Sequence, residues 1–105
     1  MTRRRGFSPY GPSKAALESA TIIWAQDLAG SGVTVNALLP GGAALTGMIP
    51  ASYPDQLRAK LLDPAIMVPP LRWLASERSD GVTGGRFIAT HWRDDNPEAA
   101  AEAGW

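Results

Sequence analysis

Val33-Thr34-Val35-Asn36-Ala37-Leu38-Leu39-Pro40-Gly41-Gly42 decides the fold. Its first seven residues are rich in β-branched and aliphatic side chains and read as a strand. The run is apolar toward both faces, the pattern of a strand covered on each side within a parallel sheet. Pro40-Gly41-Gly42 stops it sharply.

Upstream, residues 9 to 29 read as one helix. Ser8 or Pro9 can start it, Pro12 is tolerated in the first turn, and Gly30-Ser31-Gly32 ends it. Its apolar residues form three rows: Ala16, Ala20 and Ile23; Leu17, Trp24 and Leu28; Ala15, Ile22, Ala25 and Ala29. A helix this apolar around its circumference is usually covered on more than one side. Downstream, residues 43 to 54 are irregular, and Asp55 to Leu62 can form a short helix. Pro69-Pro70 opens another, with Leu71, Leu74 and Ala75 expected on its inner side. Gly81-Val82-Thr83-Gly84-Gly85 is a turn, and Arg86 to Thr90 a second strand.

Helix, strand, helix, strand implies a parallel crossover. Two parallel strands are not a usual end point, because such strands belong to larger sheets covered on both faces. The expected fold class is therefore α/β: the last part of a doubly wound parallel sheet, two strands with flanking helices, incomplete as a domain. The partner strand of residues 33–39 is expected to lie before Met1, leaving an apolar edge that invites association.

Composition bounds the functions. The 105 residues hold ten basic and ten acidic side chains, so overall charge favours neither nucleic acid nor an anionic membrane. There is no cysteine, which removes disulfides, thiolate metal sites and cysteine nucleophiles and fits a cytoplasmic location. Met1-Thr2-Arg3-Arg4-Arg5 has no apolar stretch behind it and is not a secretory signal; the arginines read as a solvated loop. His91 with Asp94 and Asp95 reads as a solvated strand end. A metal is not expected, since no second histidine supports one. The four tryptophans read as packing or interface groups.

Tyr10-Gly11-Pro12-Ser13-Lys14 carries the chemistry. On a helix, positions 10 and 14 share a face one turn apart. A phenol and an ammonium so placed can exchange a proton with an alcohol or carbonyl. Taken alone, the pair reads sooner as a surface tyrosine and lysine at a helix start. Four segments in order, however, resemble the C-terminal half of a short-chain dehydrogenase/reductase: Tyr10 to Leu17, Val33 to Asn36 followed by Pro40-Gly41, Leu74-Ala75-Ser76, and Val82-Thr83-Gly84-Gly85. The resemblance covers about residues 5 to 90. Residues 91–105 depart from the family's usual close and form an extra tail.

The resemblance implies a Rossmann-like fold and hydride transfer between an alcohol and a carbonyl with NAD or NADP. Tyr10 matches the family's general acid/base. Lys14 matches the lysine that holds the nicotinamide ribose and whose charge favours phenolate. Pro40 and Gly41 match the loop beneath the nicotinamide, where glycine permits close backbone approach. Thr46 matches the threonine that follows and bonds the cofactor, although one more residue stands between Gly41 and Thr46 than in the common pattern. Asn36 is expected to be structural, bonding backbone at the strand end. The segment from about Ala43 to Ile66 corresponds to the substrate lid.

The family's glycine-rich pyrophosphate turn has no counterpart in these residues; Gly81 to Gly85 lies between a helix and a strand, in the wrong order. The family's serine and its helix asparagine have none either. Two functions are therefore open. The chain is a piece of an alcohol/carbonyl oxidoreductase, inactive by itself, or a non-catalytic interaction module keeping the family's helix-packing surface. Its partners are then a small alcohol or carbonyl substrate and either a second copy or a separate N-terminal half.

Overall fold

The computed structural model describes residues 3–103 and 105. The Met1-Thr2 end of the leader reading lies outside them. The chain divides into two compact units: Met1–Ala37 with Gly81–Gly85, and Leu38–Asp80 with Arg86–Trp105.

The first unit is built on helix α1, Tyr10–Asp27. It begins at the expected place. It ends two residues early: the Leu28 N–H still reaches Trp24 O, but the Ala29 N–H bonds Gln26 O, a tighter turn, before Gly30 at φ +79°. Gly11, Thr21 and Ala25 are its buried residues. Gly84 lies against Ala25, where a Cβ on the glycine would stand 3.6 Å from the alanine methyl. Leu17, Ile23 and Trp24 are half exposed. The 81–85 turn is fastened to the strand region by Asn36: its Nδ2 donates to Val82 O at 2.8 Å and its Oδ1 accepts from Gly85 N at 2.9 Å. Asn36 is thus structural, as its position suggested.

Strand β1 is Ala37–Leu39, shorter than the 33–39 run. Val35 explains the loss. Its carbonyl accepts from Gly84 N at 2.8 Å, but its N–H goes to the Thr83 hydroxyl rather than to a carbonyl, so the regular strand begins only beyond it. Strand β2 is Arg86–Ile88 and pairs with β1. Pairing from Val35–Gly84 to Pro40–Thr90 advances along both strands together, so the sheet is parallel. Residues 89–91 leave the ladder in a 3₁₀ turn instead of extending β2 to Thr90.

The second unit also holds α2, Asp55–Arg58, and α3, Val68–Leu74. The irregular segment between β1 and α3 is closed at its base. Ala44 bridges Leu62, with Leu45 N donating to Leu62 O and Leu62 N to Ala43 O. Helix α3 buries Pro70 and Trp73, while Leu71 is 56% exposed. The expected inner face of Leu71, Leu74 and Ala75 is therefore corrected by about a quarter turn. The reason is volume: the Trp73 indole has more area to bury than a leucine, and it packs at ring-centroid distances of 6.0 Å from Phe87 and 5.9 Å from Trp92.

The tail docks. Ala101 forms an antiparallel bridge to Phe87, the Glu102 N–H donates to Arg86 O at 2.7 Å, and the Arg86 and Glu102 side chains pair. Ala100 is completely buried. The free side of β2 is thereby covered.

Candidate functional site

Tyr10 opens α1 and Lys14 follows one turn on. The period of 3.6 residues brings the two together. The Lys14 Nζ stands over the Tyr10 ring, 5.5 Å from its centroid, within the reach of a cation–π contact. Tyr10 is 39% exposed and Lys14 is exposed. The phenol is also flanked by Phe7, at 6.5 Å between ring centroids. Ser13 turns its hydroxyl back to Tyr10 O at 2.6 Å, which tightens the first turn. Among the described residues the Lys14 ammonium has no carboxylate partner.

The other candidates lie in the second unit. Pro40 O accepts from Thr90 N at 3.2 Å, just past β1. Gly41 is exposed with φ +96°, a conformation side chains rarely adopt. A Cβ there would collide with the Thr90 hydroxyl and stand 2.8 Å from Ile88 Cγ2. The need for glycine at 41 thus has a cause within the chain's own packing. Thr46 is exposed and its Oγ1 accepts from Met48 N at 3.3 Å, a local turn. Thr90, which holds this loop, carried no sequence signal, because its role depends on a neighbour 49 residues away.

The nicotinamide cofactor expected from the resemblance can be tested against these residues. An exposed ammonium without a carboxylate suits ribose hydroxyls. An exposed glycine backbone at Gly41 suits a flat ring. Each residue, taken within its own unit, has chemistry compatible with that part of the group; no glycine-rich strand–turn–helix for a pyrophosphate occurs in these 105 residues.

His91 is exposed in the 3₁₀ turn after β2. Among the described residues no group of three or more His, Cys, Asp or Glu side chains is gathered as metal ligands. No helix among them is long and apolar enough to cross a membrane.

The family model described as enoyl-(acyl carrier protein) reductase matches residues 3–90. The chain belongs to the short-chain dehydrogenase/reductase family. Fluoren-9-ol dehydrogenase of Terrabacter sp. (strain DBF63) is 31% identical over 93 residues, 84% of this chain. The chain spans about a quarter of that relative's length, 26%. No solved structure matches it significantly. Both matches support an oxidoreductase family, and the two strands with their flanking helices are the corresponding part of a Rossmann-like sheet.

Proposed function

We propose that this chain supplies the proton-transfer half of an NAD(P)-dependent alcohol/carbonyl oxidoreductase, with Tyr10 as acid/base and Lys14 as its cationic partner. The observation that carries the reading is the Lys14 ammonium placed over the Tyr10 ring at the exposed start of α1, inside the family match. Nicotinamide, when bound, accepts or delivers the hydride. In oxidation the Tyr10 phenolate takes the alcohol proton and becomes the phenol; in reduction the phenol gives that proton to the forming alkoxide. Lys14 stabilises negative charge on the phenol oxygen and offers N–H donors to ribose. Pro40 and Gly41 offer backbone to the nicotinamide ring, and Thr46 a hydroxyl to the cofactor.

The 105 residues alone are expected to turn over nothing, because no pyrophosphate turn is among them and positioning is lost without it. Purified chain with either nicotinamide cofactor and a panel of alcohols and ketones tests this. Turnover abolished by Tyr10→Phe would overturn it. The role of the pair is tested in a chimera. Residues 3–90 replace the matched segment of fluoren-9-ol dehydrogenase, and Tyr10→Phe is expected to lower its kcat roughly 10²-fold or more. An active chimera indifferent to Tyr10→Phe and Lys14→Met would refute the assignment. It would favour the second reading, an interaction module, for which the exposed Leu17 and Trp24 speak.

A further inference from the structure

A concavity lies wholly within the second unit, away from the residues of the proposed chemistry in sequence and in role. It is an open cleft of about 440 Å³ between α3 and the tail, lined by Arg72, Trp73, Arg78, Trp92, Asp94 and Pro97 among others. That volume falls within the ~300–1,000 Å³ usual for small-molecule sites. Trp92, half-buried, supplies the aromatic wall, and Trp73 is buried behind it with its ring centroid 5.9 Å away. The Trp92 indole N–H is already satisfied by Asp94 Oδ1 at 2.8 Å. What that wall can offer a ligand is therefore chiefly apolar ring surface.

The charges are unbalanced. The cleft carries two guanidiniums and one carboxylate, and the carboxylate is engaged by the indole. The other arginines of this unit have partners: Arg58 donates to Pro50 O, Arg86 pairs with Glu102, and Arg93 pairs with Asp95. Arg72 and Arg78 have no carboxylate or carbonyl partner for their side chains among the described residues. Two unengaged forks beside an aromatic wall suit a ligand with a flat apolar body and one carboxylate.

We propose that this cleft binds a small aromatic carboxylate, its ring against Trp92 and its carboxylate bonded by Arg72 and Arg78. A cation is disfavoured by the net positive lining. Inorganic phosphate would leave the aromatic wall unused. The cleft is built partly by residues 92–97, so the tail that departs from the family's usual close contributes to it.

Isothermal titration of the full chain with 2-naphthoate, and with neutral 2-naphthamide as control, tests the proposal. Saturable one-to-one binding of 2-naphthoate is expected, with a clearly weaker response to the amide. Arg72→Gln and Arg78→Gln should each weaken it about tenfold or more, the usual effect of losing a hydrogen bond to a charged group. Arg93→Gln, outside the cleft, should leave it unchanged. All three side chains are exposed, and far-ultraviolet circular dichroism of each variant checks that the fold is kept. Indole N–H resonances localise the ligand: Trp92 should shift and neither Trp24 nor Trp105 should. Absence of saturable binding, equal binding of the amide, unaltered affinity in both arginine variants, or shifts confined to Trp24 would each overturn the proposal.

Discussion

Gly41 carries one demand that the structure makes and another that the resemblance only implies. The family resemblance assigns it to close approach of a ring, while the structure gives it a second constraint, the collision a Cβ would make with Thr90 and Ile88. Gly41→Ala is expected to cost about 2–4 kcal/mol, the sum of a strained positive φ and an overpacked neighbour. Gly81, at φ +82° with open space around its Cβ position, isolates the first part. Gly81→Ala should cost only about 1 kcal/mol. Urea unfolding of both variants reads the difference, and equal losses would show that the contact with Thr90 is unimportant. Asn36 was legible in the sequence because a polar residue inside an apolar strand run must find a partner. Thr90 was not, because a hydroxyl just past a strand has many possible uses and its neighbour at 41 is remote in the chain.

Among the elements, α1 and the tail stand at opposite ends of legibility. The start of α1 follows from local chemistry, a proline in the first turn and a period of 3.6, and that same period places Lys14 over Tyr10. The tail has no periodicity to announce its docking along β2. Its anchor is Ala100, which is completely buried, whereas Glu102 retains 46% side-chain exposure. Ala100→Gln should therefore destabilise the second unit by about 1–3 kcal/mol, by forcing a longer polar side chain into a filled site. Glu102→Gln should change stability by less than about 1 kcal/mol, as exposed ion pairs do. Thermal melts of the two variants decide it, and the reverse order would mean that the Arg86 pair, not burial, holds the tail.

For the whole molecule the distribution of buried apolar side chains matters most. Among the described residues, Trp73, Phe87, Ile88, Ala89 and Ala100 are buried in the second unit and Ala25 in the first. A core that includes so little of α1 leaves Leu17 51%, Ile23 50% and Trp24 50% exposed. Exposed apolar rows of this kind favour association. The other side of β1 adds to the tendency, since among the described residues the sheet contains β1 and β2 alone. The purified chain is expected to self-associate, and Trp24→Lys to shift it toward smaller species. Sedimentation over a wide concentration range checks this. A sharp monomer, unchanged by dilution and unfolding cooperatively, would contradict it.

The order of elements, the parallel pairing, the start of α1, the shared face of Tyr10 and Lys14, and the family were all legible in the amino-acid sequence. Each of these is encoded in propensity, period or a short motif, so a few adjacent residues suffice to state it. Where the strands begin and end, which side of α3 is buried, what the tail covers and why position 41 needs glycine came from the folded chain. Those depend on partners far apart in the chain: the Thr83 hydroxyl that takes the Val35 N–H, the Phe87 and Trp92 rings that draw Trp73 inward, and Thr90 against Gly41. A local pattern records what a residue prefers, while burial records which distant neighbour it met.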